Sequence, residues 1–482
     1  MSAPGRLTIV QLNDTHGYVE PHPELVWTSA GPSYPIMGGY ARIGSLLASF
    51  RRDNPDGVLA LDNGDTFHGT YPAVTTRGEA LVPLINALKL DAMTAHWEFA
   101  WGPQHYEALA AQLDHPMLAI NCYEEASGRR PFPASITLDR GGMKIGVIGI
   151  AATIVDKSMP KHFSQGLRFT SGFDELPQEI ARLRQDGKAD LVVVLSHLGF
   201  PQDVLLAKTV AGIDILLSGH THNRLETPIK VGNCIIIQSG CHGSFIGRLD
   251  LDVANGRIMA VNHSLIPVDD TVLPDPAMQA QVDRLMAPLR PLLEEVVGRT
   301  EIGLHRNNNL SAPMDDILLA AISSTAGTDI AFSNGWRYGA PIPPGPVRLN
   351  DLWNIIPGNP PVSTVSLTGA EIVTMMEENL ERTFSSNPLG QMGGYLKRFR
   401  GLTIYGKIEN PAGNRIERIF VCGKELDRDG RYRAAFVTEQ GVSSKYGTDR
   451  TQSEVHAIDS LRAFFAEGGM LDARRLGRFI PV

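Results

Sequence analysis

Short apolar runs alternate with amphipathic stretches along the first half of the chain. Runs that are rich in Val, Ile and Leu and bounded by polar or Gly residues predict buried β-strands at 7–12, 58–61, 144–150, 191–195 and 213–217. Between these runs, apolar side chains recur at helical spacing, which predicts helices at 42–50, 81–88 and 105–113. Strands that alternate with helices in this way are typical of a layered α/β fold.

The pattern changes near Pro267, where several prolines follow one another closely. A helix-like stretch at 278–297 comes next, and we interpret it as a connector. The second half opens with a predicted helix start at 311–316, which has an acidic first turn, and includes a predicted helix at 368–380. We therefore predict a first domain at 1–273, a helical linker at 274–298 and a second, smaller domain at 299–482.

Composition and charge exclude several classes of protein. The chain has 482 residues, of which 43% are hydrophobic and 20% charged, as in ordinary globular proteins. A net charge of -8 argues against a nucleic-acid polymer as partner, and no apolar run approaches the roughly 18–20 residues of a membrane span. The 4 cysteines form no Cys-x-x-Cys pair, and the N-terminus has no leader pattern, so we expect a cytoplasmic protein without a membrane partner.

Aspartates and histidines follow the ends of the predicted strands. Because ligands of α/β folds bind at the carboxyl ends of the strands, we expect these side chains to converge. Imidazole and carboxylate groups without thiolate suit Mn, Zn or Fe better than an all-oxygen Mg or Ca site. There are too many of these groups for one ion, and they suit two ions about 3.5–4 Å apart that share a carboxylate. The predicted metal ligands are Asp14, His16, Asp65, His96, His197, His220 and His222.

The same segments resemble a known family. The motifs Leu12-Asn-Asp-Thr-His-Gly17, Asp62-Asn-Gly-Asp65, Ser196-His-Leu-Gly199 and Gly219-His-Thr-His222 resemble the metallophosphoesterase motifs of the 5′-nucleotidase family. Segments 329–337 and 367–372 resemble the C-terminal substrate domain of that family. The resemblance implies a four-layer α/β metallophosphoesterase domain, followed by a smaller α/β or α+β substrate domain joined to it by a helix.

The resemblance also implies how the ligands divide. Asp14, His16 and His222 would hold one ion. His96, His197 and His220 would hold the other, and Asp65 would bridge the two.

One segment departs from the nucleotidase pattern. Where the family usually has Gly-Asn-His-Glu-Phe-Asp, this chain reads Ala95-His-Trp-Glu-Phe-Ala100. His96 replaces a metal-binding Asn, while Trp97 and Ala100 replace the catalytic His and its orienting Asp. An indole N–H donates a hydrogen bond but cannot shuttle a proton, so the acid dyad is missing.

The His-Trp-Glu-Phe segment resembles the thiosulfohydrolase branch of the same superfamily, the enzyme of the Sox sulfur-oxidation system. That enzyme removes sulfate from a cysteine-bound thiosulfonate with a dimanganese centre. We therefore expect two divalent ions, with Mn favoured and with Zn and Fe also accepted by these ligands.

These observations predict a hydrolase that uses two metal ions to release phosphate or sulfate from a small-molecule substrate with a weakly basic leaving group. The variant segment favours an S-sulfonate. Two alternatives stay open, namely a cytoplasmic 5′-nucleotidase or phosphoesterase that acts on nucleotides, and a metal-free binding protein without catalysis. A carrier-protein partner, as in the Sox system, has no support in this sequence.

Further residues are predicted to touch the substrate. His68 is expected to reach the leaving group or a substrate oxygen, and Trp97 to form a wall. Arg337 is expected to pair with a substrate anion while Trp336 and Tyr338 stack on its organic part. Each of these residues also has a purely structural interpretation, as packing in a loop or in the second domain. The predicted catalytic side chains are His96, Trp97, His68 and Arg337.

Other reactive residues receive a structural interpretation. His22, His105 and His115 do not belong to such a pattern. Cys241 and His242 form an adjacent pair in a Gly-rich loop, but two metal ions already supply a nucleophile, so we do not expect a cysteine nucleophile here.

Overall fold

The computed structural model describes residues 5–254 and 257–482 and divides the chain into two compact units. The first unit contains the chain up to Glu24 together with Pro35–Pro288, and the second contains Leu25–Tyr34 and Leu289–Val482.

The prediction of a single helix at 278–297 is wrong. This segment instead forms two helices, Pro276–Met286 and Arg290–Leu293, which are followed by the strand Val296–Thr300. The prolines Pro288 and Pro291 interrupt the helical pattern because a proline has no N–H to donate.

Two sheets form the centre of the first unit. In spatial order, the five-stranded sheet contains Arg257–Pro267, Phe245–Ala254, Gly5–Leu12, Val58–Asp62 and Ala92–Met93. The six-stranded sheet contains Ile229–Val231, Cys234–Ile237, Ile215–Ser218, Leu191–Ser196, Met143–Ile150 and Ser135–Arg140. The inner pairs of the second sheet are parallel and its edge strands are antiparallel. All the strands predicted for the first half are confirmed, to within two residues at each end.

Central strands such as Gly5–Leu12 and Leu191–Ser196 are buried on both faces, which explains their nearly continuous apolar sequences. Leu7 and Ile9 of one sheet share a core with Val147 and Val193 of the other, so the two sheets pack face to face. On the opposite face of the six-stranded sheet, Val192 and its neighbours pack against the helices Leu176–Gln185 and Phe200–Thr209.

Helices also cover the outer face of the five-stranded sheet. Tyr40–Asp53 contacts the strand Val58–Asp62 as well as the helices Val82–Leu88 and Pro276–Met286. The order helix, sheet, sheet, helix confirms the predicted four-layer α/β domain. The other helices of this unit are Tyr71–Thr75 and Pro103–Ala110.

The second unit is a smaller mixture of helices and sheets. Its five-stranded sheet contains Arg398–Arg400, Ile330–Ser333, Arg431–Phe436, Pro361–Thr368 and Thr448–His456. Its four-stranded sheet contains Lys424–Glu425, Ile416–Val421, Leu402–Gly406 and Arg478–Pro481. Two ribbons pair Val296–Thr300 with Gly345–Arg348 and Val26–Thr28 with Gly31–Ser33. Its longer helices are Pro313–Ala326, Leu349–Ile355, Gly369–Phe384 and Ala457–Ala466.

Local sequence explains where two of these helices begin. Gly369–Phe384 starts with a capping box, in which the Glu371 N–H donates to the hydroxyl of Thr368 and the Thr368 N–H donates to the Glu371 carboxylate. Pro313–Ala326 begins at a proline, which suits the first helical position because no N–H is needed there. Both predicted helices are confirmed. Within the described part of the chain, we find no helix with the length and apolar character needed to cross a bilayer.

Candidate metal centre

The predicted ligands stand on the turns that follow the central strands. The structure brings all of them together into two groups, in each of which one ligand atom per residue lies within 4.8 Å of the others. Asp65 belongs to both groups. The first group is Asp14, His16, Asp65 and His222, and the second is Asp65, His96, His197 and His220.

Asp65 has the geometry of a shared ligand. Its Oδ2 lies 3.3 Å from Nε2 of His197 and 3.7 Å from Nε2 of His16. Its Oδ1 lies 3.3 Å from Nδ1 of His96 and accepts a hydrogen bond of 2.8 Å from the Trp97 N–H. One carboxylate therefore faces histidines of both groups, as a bridge between two ions requires.

The backbone of these turns is strained. Asp14, His16, Asp65, His220 and His222 all have positive φ angles, between 48° and 69°. A non-glycine residue rarely adopts this left-handed conformation, and strained backbone of this kind costs on the order of 1–3 kcal/mol per residue. Such strain is found where function requires a side chain in one place, and here it recurs at most of the predicted ligands.

Asn63 holds the second group together. Its side-chain N–H groups donate to the carbonyl oxygens of Ser196 and Leu217, each at 2.7 Å. Its backbone carbonyl oxygen lies 2.6 Å from Nδ1 of His197, so that nitrogen donates and Nε2 faces Asp65. That Nε2 is buried and makes no hydrogen bond within the described residues. A buried nitrogen left in this way fits a metal ligand.

Charge in the centre favours a cation. Burial alone would raise the pKa of Asp65, but the neighbouring His197 and His96 hold that pKa well below its usual value. Burial alone would lower the pKa of His197, but the carboxylates of Asp65 and Asp14 outweigh it and raise that pKa to about 10. Two ionised carboxylates among imidazoles therefore stabilise positive charge, and metal ions can supply that charge.

Glu98 is a site residue that the sequence analysis missed. Its buried carboxylate accepts hydrogen bonds from the His96 N–H at 2.8 Å and the Thr66 N–H at 2.6 Å. It therefore ties the segment that carries His96 to the turn that carries Asp65. The only signal in the sequence was an acidic residue two positions after His96.

His68 and Trp97 form a stack beside the second group. Their ring centroids lie 4.3 Å apart with the planes tilted by 20°, and Trp97 also contacts Phe163. Burial lowers the pKa of His68 to about 4, so its ring is neutral at pH 7. A neutral imidazole can donate a hydrogen bond but does not act as a general acid at this pH.

The residues predicted to bind the organic part of the substrate form a separate cluster in the second unit. The rings of Trp336 and Tyr338 are 5.9 Å apart, and each residue is only 5% exposed. The buried guanidinium of Arg306 lies over both rings and forms an ion pair with Asp315. This burial supports the packing interpretation of the two rings.

Arg337 is the more accessible member of this cluster. It is half-buried, donates to the carbonyl oxygen of Gly394 at 2.9 Å and lies 5.1 Å from the ring of Tyr395. Of the three predicted substrate residues in the second unit, it is the one that offers a charge near the surface.

Comparison with known families agrees with this architecture. The profile of the calcineurin-like phosphoesterases matches residues 7–224, and that of the 5′-nucleotidase C-terminal domain matches residues 295–438. The chain contains a calcineurin-like phosphoesterase domain followed by a 5′-nucleotidase C-terminal domain. It is accordingly a hydrolase of a family that works with divalent metal ions, and the two groups of ligands can hold them. The alternative of a binding protein without catalysis therefore loses its support.

Individual relatives are distant. The trifunctional nucleotide phosphoesterase YfkN of Bacillus subtilis is 24% identical over 93% of this metallophosphoesterase, which spans only 33% of that longer protein. The sulfate thiohydrolase SoxB of Thermus thermophilus is 24% identical, with a TM-score of 0.91 over 100% of this chain and 98% of that one. A 5′-nucleotidase precursor from Thermus thermophilus is 22% identical, with a TM-score of 0.85 over 99% of both chains. At these identities the two structures establish the fold alone.

Proposed function

We propose that this metallophosphoesterase hydrolyses a small substrate whose leaving group is weakly basic, and that an S-sulfonate is the preferred substrate class. The observation that carries the proposal is the segment beside the second ligand group. Trp97 and Ala100, at the positions of the family's acid dyad, have no titratable side chain. The likeness in fold to a sulfate thiohydrolase supports the same substrate class.

The proposed ligand division follows the two groups. Asp14, His16 and His222 would hold one ion, His96, His197 and His220 would hold the other, and Asp65 would be shared by both. Manganese is the proposed metal, and zinc and iron are accepted by the same donor atoms. When bound, two such ions provide a nucleophile from water at neutral pH and stabilise charge on the substrate oxygens.

The side chains around the metal centre determine which leaving groups can depart from the substrate. The backbone N–H of Trp97 donates to Asp65, which positions the residue, and its indole ring is held as a wall by stacking on His68 and by contact with Phe163. His68 is neutral at pH 7 and acts as a hydrogen-bond donor to a substrate oxygen rather than as an acid. The leaving group must therefore depart without a proton, which the thiolate of an S-sulfonate or a phenolate can do and a ribose alkoxide cannot do easily.

The second unit is proposed to recognise the organic part of the substrate. Arg337 supplies the charge that pairs with a substrate anion, while Trp336 and Tyr338 support it from within the fold. We propose a metal-binding domain at 1–273, a helical linker at 274–298 and a substrate-binding domain at 299–482. A cytoplasmic location remains a prediction and is tested by fractionation of cells that express the native protein.

A nucleotide is the second candidate substrate. It is favoured by the match of residues 295–438 to the 5′-nucleotidase C-terminal domain, which contains Arg337 and its aromatic neighbours. In this case the same centre would release phosphate.

A hydrolysis panel separates the two candidates. The manganese-loaded enzyme is assayed with S-sulfocysteine, an aryl phosphate and AMP. Since a general acid contributes about 10²–10⁴-fold, we expect kcat on S-sulfocysteine and on the aryl phosphate to exceed kcat on AMP by about 10²-fold or more. Comparable kcat values on AMP and the aryl phosphate would show that an acid is present and would favour the nucleotidase.

A further inference from the structure

A third group of ligand-type side chains lies outside the two groups already described. His22, Glu24 and His242 each offer one ligand atom, and these atoms lie within 4.8 Å of one another. All three residues are buried, with exposures of 7%, 2% and 3%. Two imidazoles and a carboxylate are thus buried together in the first unit, separate from the two groups of predicted ligands.

Backbone contacts and close packing constrain the positions of His242 and His22. The His242 N–H donates to the carbonyl oxygen of Asp14 at 2.7 Å, and His242 has a positive φ of 59°, as most of the predicted metal ligands do. The ring of His22 lies against Gly38, where a Cβ atom would come within 2.6 Å of Cε1 of His22. Only a glycine at position 38 leaves room for the imidazole in this position.

The carboxylate of Glu24 is oriented by its neighbours. Arg224 donates to Oε1 at 2.5 Å, which turns Oε2 towards the two histidines. Oε2 lies 3.7 Å from Nδ1 of His242 and accepts a hydrogen bond of 2.7 Å from the hydroxyl of Ser244. The same hydroxyl lies 3.2 Å from Nε2 of His22. The ligand atoms of His22, Glu24 and His242 therefore lie close together, with the Ser244 hydroxyl beside Glu24 and His22.

The spacing agrees with ligands of one ion. Oε2 of Glu24 and Nδ1 of His242 are 3.7 Å apart. Two ligands about 2.0–2.1 Å from a tetrahedral zinc ion are separated by roughly 3.4 Å, so a small movement is enough to close the set. Sγ of Cys241 lies 3.5 Å from the same Nδ1 of His242 and adds a soft donor at the edge of the cluster.

We propose that His22, Glu24 and His242 bind a third divalent cation, with Zn²⁺ as the best match to a donor set of two imidazoles and one carboxylate. The ring of His242 lies 5.9 Å from that of His16 and 6.2 Å from that of His222. The third ion therefore neighbours the first ligand group and holds in place the turn that contacts Asp14. This proposal does not depend on which substrate the enzyme hydrolyses.

Metal stoichiometry tests the proposal directly. The full chain is stripped with a chelator, reloaded with excess Zn²⁺, freed of unbound metal by gel filtration and analysed by elemental mass spectrometry. We expect three Zn²⁺ per chain for the wild type and two for His22→Gln, which leaves the pair of Glu24 and Arg224 intact. The matched control is His115→Gln, a buried imidazole outside all three groups, which should keep three.

A second variant and a spectroscopic measurement guard against misfolding. Glu24→Gln should also bind two ions, and circular dichroism identifies any variant that has not folded. In the Co²⁺-loaded protein, the d–d absorption bands of the third equivalent should disappear in His22→Gln or Glu24→Gln. Two ions per wild-type chain at saturating Zn²⁺ would overturn the proposal, whether or not the variants fold. Three ions retained in a folded His22→Gln or Glu24→Gln would overturn it as well.

Discussion

The two regions predicted to carry chemistry are built in opposite ways. In the first unit, Asp14, Asp65 and His222 stand on strained turns that direct their side chains to one point. In the second unit, Trp336 and Tyr338 are buried and lie against the guanidinium of Arg306. The first arrangement costs backbone energy and supports a functional role, while the second stabilises the fold of its own unit. The comparison predicts that substitutions in the first region strongly reduce turnover and metal binding. Substitutions in the second region should have small effects on activity.

The largest effect is expected at the shared carboxylate. Asp65→Asn should lower kcat by at least about 10³-fold and remove at least one ion, because a neutral amide is a poor bridge between two cations. Turnover and metal content are measured on the same sample. The matched control is Asp139→Asn, an exposed carboxylate in the strand Ser135–Arg140, which should change neither. Two ions and near-normal turnover in Asp65→Asn would refute the proposed bridge.

The next effect concerns the missing acid. The double variant Trp97→His with Ala100→Asp restores the dyad of the family and should raise kcat on AMP by about 10²-fold. Hydrolysis of the aryl phosphate should change little, because its leaving group needs no proton. The ratio of the two kcat values is the measurement, and Trp97→His alone is the control. An equal gain on both substrates would mean that the change acts on something other than the leaving group.

A smaller effect is expected at Glu98. The Glu98 carboxylate accepts hydrogen bonds from two backbone N–H groups. In Glu98→Gln, one of these N–H groups would face the side-chain NH2 group, which cannot accept a hydrogen bond. Losing such a supporting contact typically weakens metal binding by about 10–100-fold. A competition titration with a chromophoric chelator measures the affinity. Unchanged affinity would show that the segment carrying His96 is held by other contacts.

The smallest effect is expected in the second unit. Arg337→Ala should raise KM by about tenfold, in line with the loss of one hydrogen bond to a charged group, and leave the metal content intact. Arg337→Lys retains the charge and should recover part of the loss. An unchanged KM would place recognition of the substrate elsewhere and would sharpen the contrast between the two regions.

Local sequence patterns were sufficient to predict the layered fold of the first unit and the aspartates and histidines that lie together in two groups. Apolar runs such as 191–195 are fully buried strands, and residues such as His197 follow them directly, so the position of the ligand is a local property of the chain. The departure at Trp97 and Ala100 was equally visible, because it is a change of residue type within a short motif.

Other features depend on contacts between distant segments and could not be predicted from local patterns. The helix predicted at 278–297 is split by prolines, and its last residues pair with Gly345–Arg348, which no local pattern reveals. His22 and His242 looked ordinary because each meets its partner in a distant segment, Ser244 for His22 and Glu24 for His242. The burial of Trp336 and Tyr338 depends in the same way on Arg306. Strand and ligand positions follow from short-range periodicity, whereas a cluster of buried polar groups exists only once distant segments have packed together.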